Sequence, residues 1–218
     1  MLKIENICYS YKNSEKNVLK NVSAIFEKGK LYAVVGPSGS GKTTLLSIMA
    51  GLDVPKSGIV TIDGENLATL DLNRYRKERI SMIFQAFHLF PLLTASENVC
   101  YPMEANGMSL EKARQKAREL LIRVGIDESK HNRYPANLSG GEQQRVAIAR
   151  ALSTGTKVIL ADEPTGNLDE ENGKAVLNIL RTLIDEENYC IIVVTHNMEI
   201  ADTADVVFRM SDGTIKEY

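Results

Sequence analysis

Gly36-Pro37-Ser38-Gly39-Ser40-Gly41-Lys42-Thr43 has the pattern G-x-x-x-x-G-K-[ST], which is typical of a phosphate-binding loop between a strand and a helix. A short apolar run at residues 31–35 precedes it, and apolar side chains with helical spacing follow at residues 43–50. Glycines let backbone N–H groups converge on phosphate oxygens, and a helix N-terminus attracts anions, so the order strand, loop, helix predicts a phosphate-binding site. A glycine-rich turn with a surface lysine is the simpler alternative, and the flanking strand and helix argue against it.

Side chains of the predicted loop have different expected roles. We expect the Lys42 ammonium to reach the β- and γ-phosphates of a nucleotide, and the Thr43 hydroxyl to bind Mg²⁺. The other nucleotide-binding positions predicted for this segment are Gly36, Ser38, Gly39, Ser40, Gly41 and Thr44.

Length and composition limit the classes of protein to which the chain can belong. Its 218 residues suffice for one domain with an inserted subdomain. The 26 Lys and Arg nearly balance the 28 Asp and Glu, and a net charge of −2 argues against nucleic-acid binding over a large surface. The longest apolar run, residues 191–194, is too short for a membrane span, and residues 1–5 lack the apolar core of a signal peptide. We therefore expect a cytoplasmic protein, in which Cys8, Cys100 and Cys190 are buried and reduced.

The order of apolar patterns predicts an α/β core that is interrupted by a helical insertion. The helical period dominates from about residue 96 to residue 153, and strand–helix alternation resumes at residue 157. Residues 1–218 are predicted to form one domain, with residues 1–86 and 155–218 as its core and residues 87–154 as the inserted subdomain. The predicted strands are 2–9, 22–26, 31–35, 80–84, 158–161, 189–195, 206–210 and 214–216, and the predicted helices are 43–50, a segment capped by Ser109 that ends before Gly125, 143–152 and 170–186.

Two acids, Asp162 and Glu163, close the apolar run at residues 158–161. Ligands of open α/β sheets gather at the carboxyl ends of strands, so this pair is expected to face the phosphate loop. Adjacent side chains at a strand end point in different directions, which predicts two roles. Asp162 suits Mg²⁺, directly or through water, and Glu163 suits a general base that polarises an attacking water. Solvated loop acids are the simpler alternative.

Two further polar residues end predicted strands. His196 follows the strand at residues 189–195 and is expected to donate to the γ-phosphate or to orient the water at Glu163. An exposed histidine without a role is the alternative. Gln85 follows the strand at residues 80–84, and its amide is expected to reach Mg²⁺ or the water, or else to pair with the backbone.

The segment Leu138-Ser139-Gly140-Gly141-Glu142-Gln143-Gln144-Arg145 has two interpretations. Ser139 and Glu142 form a capping box in front of a helix, which is a complete structural explanation. Glycines at a helix N-terminus also form an anion site, here without a lysine. A single nucleotide needs one phosphate cradle, so Ser139, Gly140 and Gly141 are predicted to contact the nucleotide of a partner.

Together these residues resemble the ATP-binding subunit of an ABC transporter, and the resemblance covers essentially the whole chain. Residues 36–43 resemble the Walker A motif, residues 158–163 resemble Walker B, and residues 138–143 match the family signature LSGGEQ in full. By the same resemblance Gln85 is the Q-loop residue, residues 166–169 with Asp169 are the D-loop, His196 is the switch histidine, and Tyr11 is the aromatic that stacks on adenine.

The resemblance implies a P-loop NTPase fold of the ABC ATPase type, in which a mixed sheet is flanked by helices and joined by an antiparallel β part. It implies an ATPase that uses ATP and Mg²⁺ and forms an ATP-induced, head-to-tail homodimer. Each ATP would lie between Walker A of one subunit and Ser139-Gly140-Gly141 of the other. The dimer would drive a separate membrane permease and would lie on the inner face of the cell membrane through that partner.

A finer resemblance concerns Pro164-Thr165-Gly166-Asn167-Leu168-Asp169 together with Phe84-Gln85. These residues look like the class of macrolide exporters, lipoprotein-releasing complexes and bacitracin-type peptide exporters. The alternative function is mechanical signalling to a membrane protein that regulates cell-wall enzymes, without transport of a solute. Soluble ABC ATPases of DNA repair or translation are disfavoured, because they carry a long coiled coil or two cassettes.

Apolar residues follow Gln85 in the stretch Ala86-Phe87-His88-Leu89-Phe90-Pro91-Leu92-Leu93. Pro91 predicts a loop here. Large apolar groups in a loop pack inward or against another molecule. We expect some of these side chains to be buried and at least one to face a groove that receives a cytoplasmic helix of the membrane subunit.

Overall fold

The computed structural model describes residues 1–12 and 16–218. Its strands are β1 (Leu2–Tyr9), β2 (Leu19–Phe26), β3 (Lys30–Val35), β4 (Ser57–Ile62), β5 (Glu65–Asn66), β6 (Ser81–Ile83), β7 (Val158–Asp162), β8 (Cys190–Thr195), β9 (Val206–Ser211) and β10 (Thr214–Glu217). Its α-helices are α1 (Lys42–Met49), α2 (Leu72–Glu78), α3 (Ala95–Ala105), α4 (Leu110–Arg123), α5 (Gly140–Ser153), α6 (Glu170–Glu187) and α7 (Met198–Thr203). Every strand and helix predicted from the sequence lies on one of these elements.

The central sheet has the strand order β10-β9-β3-β8-β7-β6. Strands β9, β3, β8, β7 and β6 run parallel, and β10 pairs antiparallel with β9. Every residue of β8 is buried, as expected of a parallel strand that is covered on both faces. The parallel order brings the carboxyl ends of β3, β7 and β8 to the same edge, so the segments that follow these strands meet there.

A second, antiparallel sheet has the strand order β2-β1-β4-β5. Buried and exposed residues alternate along most of β2, which is typical of a sheet with one face in water. The Phe26 ring packs edge-on against Tyr32 and Phe208 of the central sheet, with ring centroids 5.1 and 5.7 Å apart. The mixed sheet with an antiparallel β part is therefore confirmed.

Helices α3, α4 and α5 pack on one another and share a hydrophobic core with α6. Ala113, Ala117, Leu120 and Leu121 form the buried side of α4, while the basic residues of its other face are exposed: Lys112, Arg114, Lys116 and Arg118. Ser109 occupies the N-cap position of α4, but its side chain forms no capping hydrogen bond. The bounds predicted for the inserted subdomain, residues 87–154, remain a prediction.

In the part of the chain that the structure describes, no helix combines the length and the apolar composition needed to cross a membrane.

The three cysteines are free thiols, as predicted. Cys100 and Cys190 are buried, whereas Cys8 is half-buried, which corrects the expectation that all would be buried. Burial raises the pKa of the Cys190 thiol to about 12, so this group stays protonated at neutral pH. Cys8 accepts a hydrogen bond from the Asn21 N–H at 3.3 Å instead of packing into the core.

Tyr75 links α2 to the end of α1, the helix that follows the phosphate loop. Its side chain is 1% exposed, and its hydroxyl donates to the Met49 carbonyl oxygen at 2.6 Å. We predict that Tyr75→Phe lowers the free energy of unfolding by about 0.5–1.5 kcal/mol, because a buried hydrogen bond is lost without a change in shape. Urea unfolding measures the effect. Tyr101→Phe is the control, since the Tyr101 side chain is half exposed and its loss should be nearly neutral; equal effects of the two substitutions would contradict the prediction.

Candidate active site

An open cleft of about 760 Å³ lies at the carboxyl edge of the central sheet. It brings together residues that are distant in the sequence and that follow β3, β6, β7 and β8. Its lining residues are Tyr11, Val18, Ser38, Gly39, Gly41, Lys42, Thr43, Thr44, Gln85, Asp162, Glu163 and His196. Most of the predicted catalytic and nucleotide-binding positions therefore share one site.

The phosphate loop is held by its glycines and by Lys42. Gly39 and Gly41 have φ values of 76° and 103°, which glycine adopts without the steric cost of a Cβ. The Lys42 ammonium donates to the carbonyl oxygens of Gly36 and Pro37 at 2.7 and 3.1 Å. Both acceptors are neutral, so the positive charge remains available to a phosphate.

Gly36 and Ser40 belong to the phosphate loop but do not line the cleft. A Cβ at Gly36 would overlap the Met210 carbonyl oxygen, so only glycine allows this close approach of β3 to β9. Ser40 is 4% exposed, and its hydroxyl has no hydrogen-bond partner among the described residues. These two predicted nucleotide-binding residues thus flank the cleft without being among its lining residues.

Asp162 and Thr43 form the part of the cleft that suits a divalent cation. The Thr43 hydroxyl donates to Asp162 Oδ1 at 3.5 Å, a long contact between two oxygen ligands. Burial raises the pKa of the Asp162 carboxyl, and the neighbouring Glu163 raises it further, so its negative charge is poorly compensated. A hard cation such as Mg²⁺ prefers oxygen ligands of this kind and would supply the missing charge. The residues present therefore fit the predicted Mg²⁺.

Glu163 is held by hydrogen bonds at both its backbone and its carboxylate. Its backbone has a φ of 46°, held by the hydrogen bond from its N–H to the Val194 carbonyl oxygen at 2.9 Å. Glu163 Oε1 accepts from the His196 N–H at 3.0 Å and lies 2.7 Å from His196 Nδ1. Because an ionised carboxylate only accepts hydrogen bonds, Nδ1 carries the proton in this contact. The side chain of Glu163 is 15% exposed and that of His196 is 70% exposed, so the imidazole is largely open to solvent while the carboxylate is mostly buried.

Thr195 completes the surroundings of Glu163 and was not singled out from the sequence. Its hydroxyl donates to Glu163 Oε2 at 2.8 Å. The sequence does place a threonine directly before His196, at the end of a buried strand. Threonines at strand ends are common, however, so this position alone does not predict a hydrogen bond to Glu163.

Gln85 lies two residues beyond β6, in a turn, rather than directly at a strand end. Its side-chain amide donates to Asn167 Oδ1 at 3.3 Å, and Asn167 Nδ2 donates to the Gln85 carbonyl oxygen at 3.0 Å. The predicted Q-loop residue therefore pairs with the segment that follows Glu163, a contact that the sequence did not indicate.

Tyr11 forms one side wall of the cleft. Its ring is 51% exposed and packs edge-on against Tyr9, with ring centroids 5.3 Å apart. Its hydroxyl lies 2.9 Å from Thr44 Oγ1, on the helix that follows the phosphate loop. An exposed ring face that is held beside a phosphate loop suits the predicted stacking on a nucleotide base.

Ser139 lies outside this cleft, at the N-cap of α5, in the predicted capping box. Its Oγ accepts from the Glu142 N–H at 3.3 Å, and the Glu142 carboxylate accepts from the Ser139 N–H at 2.8 Å. A hydroxyl that accepts one hydrogen bond keeps its proton to donate. Ser139 is exposed, so the cap and an anion contact are compatible.

The two glycines that follow Ser139 differ in how much space surrounds them. A Cβ at Gly141 would overlap the side chain of Asn172 and lie 2.8 Å from its Cβ, whereas the nearest atom to a Cβ at Gly140 would be 3.8 Å away. Asn172 is itself fixed: Arg145 donates to its Oδ1 at 3.0 Å, and its Nδ2 donates to the carboxylate of Asp169. Gly141 is therefore required by packing within the chain, and Asp169 is linked to α5 through Asn172.

Comparison with protein families and curated sequences agrees with this arrangement. The family model described as ABC transporter matches residues 19–166. The uncharacterized ABC transporter ATP-binding protein YclH of Bacillus subtilis is 41% identical over 219 residues, which cover 100% of this chain and 97% of YclH. The macrolide export ATP-binding/permease protein MacB of Escherichia coli is 43% identical over 220 residues, which cover 99% of this chain and 34% of MacB. The chain thus spans about a third of the length of MacB.

A solved structure matches the whole chain. It is the dimeric structure of a post-hydrolysis state of the ATP-binding cassette MJ0796, bound to ADP and Pi, a protein of Methanocaldococcus jannaschii. The TM-score is 0.92 at 40% identity, over 100% of this chain and 98% of that chain.

We predict that Gly141→Ala lowers the free energy of unfolding by about 1–3 kcal/mol, since the new methyl group cannot be accommodated without moving Asn172 and its helix. Gly140→Ala is the matched control. It should be neutral or slightly stabilising, because alanine has the better helix propensity and space is available. Urea unfolding of both variants decides, and equal stability would show that the packing at Gly141 is looser than described.

Proposed function

Since this chain belongs to the ABC transporter family and is an ATPase of the ATP-binding cassette type, we propose that it forms a head-to-tail homodimer around two ATP molecules and drives a separate membrane permease. The observation that carries the catalytic part is the convergence of Lys42, Thr43, Asp162, Glu163 and His196 on one cleft. This set combines a cation for phosphates, oxygen ligands for Mg²⁺ and a base for water.

The residues have distinct proposed roles in hydrolysis. Lys42 binds the β- and γ-phosphates, and Tyr11 stacks on the adenine. Thr43 and Asp162 would hold Mg²⁺, which neutralises phosphate charge when bound, and Gln85 would approach it after parting from Asn167. Glu163 accepts a proton from the attacking water, while His196 donates a hydrogen bond from its Nδ1–H to that carboxylate and so helps to orient the base and its water.

The proposal of a dimer is supported by the separation of the two predicted phosphate cradles. Ser139 and Gly140 are available at the N-terminus of α5 but are not among the residues that line the cleft. A second subunit would place Ser139, Gly140 and Gly141 over the open side of the cleft, and Asp169 would approach the same boundary. The dimeric MJ0796 cassette, similar over the whole chain, supports this arrangement.

The proposal of a permease partner is supported by a groove of about 290 Å³ between the core and the α-helical part. Phe90, Tyr101 and Pro102 form an apolar wall, in which the rings of Phe90 and Tyr101 meet at 4.9 Å. Phe90 and Tyr101 are 42% and 51% exposed, more than a core contact explains. Of the apolar stretch after Gln85, Leu89 packs on the core and Phe87 is half-buried, whereas His88 is exposed.

Arg150, in the last turn of α5, also lines this groove. Its guanidinium donates to the carbonyl oxygens of His88 and Phe87 at 2.6 and 3.0 Å. Both acceptor residues have left-handed backbones, with φ of 48° and 58°. The loop that forms the groove is thereby attached to α5 and, through residues 85–87, to the cleft.

We propose an exporter or mechanotransmission complex for a peptide, lipoprotein or drug as the full assembly, because MacB is similar over this chain. In this complex the chain would lie on the inner face of the membrane through its permease. Mechanical signalling without transport, through a membrane protein that regulates cell-wall enzymes, uses the same site and groove and is the alternative.

We predict that Glu163→Gln binds ATP normally but hydrolyses it about 10²–10⁴-fold more slowly, because the general base is lost. With Mg²⁺ and ATP this variant should accumulate as a dimer in analytical ultracentrifugation. Adding Ser139→Gly should return it to a monomer that still binds ATP, since glycine preserves most of the cap but not the hydroxyl. A dimer that persists without the Ser139 hydroxyl would contradict its proposed contact with the partner's nucleotide.

We predict that Phe90→Asp leaves ATP hydrolysis by the isolated subunit unchanged and abolishes its binding to native membranes, because a carboxylate in an apolar interface is costly to desolvate. The measurement is the fraction of the subunit that sediments with those membranes. Leu92→Asp is the control, since Leu92 is 86% exposed and is not among the groove residues. Loss of folding in Phe90→Asp would assign Phe90 to the core, and normal membrane binding would place the docking surface elsewhere.

A further inference from the structure

Thr195 is the last residue of β8 and is fully buried beside the proposed general base. Its hydroxyl donates to Glu163 Oε2 at 2.8 Å and accepts a hydrogen bond from the Asn197 N–H at 3.0 Å. A hydrogen bond to an ionised carboxylate is stronger than one between neutral groups, so this contact is well suited to fix the end of a side chain.

The two oxygens of the Glu163 carboxylate have different surroundings. Oε2 accepts from the buried Thr195 hydroxyl, whereas Oε1 accepts from the His196 N–H and lies 2.7 Å from His196 Nδ1 at the cleft. The Glu163 backbone is fixed by its hydrogen bond to Val194, but the terminal torsion of a glutamate has a broad, two-fold profile and does not choose an orientation by itself. The Thr195 hydroxyl at Oε2 and the His196 N–H at Oε1 together remove that freedom, and Thr195 is the only side chain that donates to Oε2 among the described residues.

We propose that Thr195 is a positioning residue that holds the Glu163 carboxylate in the orientation in which it accepts the proton of the attacking water. This inference rests on the proposed role of Glu163 as general base. Thr195 is itself 0% exposed and therefore acts through Glu163 rather than on the nucleotide. Its β-branched side chain favours the strand, and its hydroxyl serves the site.

A purely structural role of Thr195 would have different consequences. The hydroxyl also accepts the Asn197 N–H, and Asn197 in turn caps the short helix α7 by accepting the Glu199 N–H at 2.8 Å. If the start of α7 were the only thing that depended on Thr195, its loss would change stability and leave the rate of the chemical step unchanged.

The test compares Thr195→Val with Thr195→Ser in single-turnover ATP hydrolysis and in equilibrium ATP binding. Thr195→Val should lower the hydrolysis rate about 10- to 100-fold and change the Kd for ATP less than about twofold, the expected pattern for a group that orients the base. Thr195→Ser retains the donor and should restore most of the rate. Thr156→Val is the matched control, because Thr156 is also a buried threonine but lies outside the cleft. Should the valine variant not fold, Thr195→Ala is measured in its place against the same expectations.

A second measurement places Thr195→Val in the Glu163→Gln background, where no further loss of hydrolysis is expected because the group that Thr195 orients is absent. An equal fold-loss in both backgrounds, or a valine variant as fast as the wild type, would overturn the role of Thr195. The Glu163→Gln variant alone reports on the proposed function. Normal hydrolysis by that variant rejects the general base, whereas a slow Glu163→Gln with an unaffected Thr195→Val rejects this inference alone.

Discussion

The parallel pairing of β3 with β8 and of β8 with β7 is the constraint on which the site depends. Parallel strands align their carboxyl ends, so the phosphate loop, the acids after β7 and His196 must lie at one edge of the sheet. In register, Val35 is opposite Thr195 and Asp162 is opposite Val194. The ends of β3, β7 and β8 are thus fixed by backbone hydrogen bonds in a buried sheet, which positions the segments that carry Thr43, Glu163 and His196 before any ligand is present.

Much of this arrangement could be predicted because its determinants are local. Each motif lies next to its own strand or helix, so the apolar pattern and the motif identify each other. Strand β4 was missed because it begins with exposed Ser57, Gly58 and Ile59, and helices α2 and α7 were missed because each is shorter than two full turns. The Gln85–Asn167 pair joins residues 82 positions apart, and the overlap that Gly141 avoids involves Asn172 on another helix. Contacts of this kind depend on side-chain geometry that no local pattern contains.

Asn172 connects two segments that lie outside the cleft, the loop after Glu163 and the N-terminal part of α5. Its amide binds the Asp169 carboxylate on one side and accepts from Arg145 on the other, directly above Gly141. The loop after Glu163 and the N-terminal end of α5 are therefore held in a fixed relation. In the proposed dimer both segments would face the second subunit, so the Asn172 side chain would fix their spacing relative to that partner.

The contacts of Arg150 have a mechanical consequence. Ser139 caps the N-terminal end of α5, and Arg150 in its last turn donates hydrogen bonds to the loop that contains Phe87 and His88. A helix of this length is about 20 Å long. Displacement of this loop by a docked partner would therefore act directly on α5, which packs against α3 and α4. Under the proposed function, a small movement of α5 would change the position of Ser139 at its other end, so one helix would connect the surface proposed for the permease with the surface proposed for the second subunit.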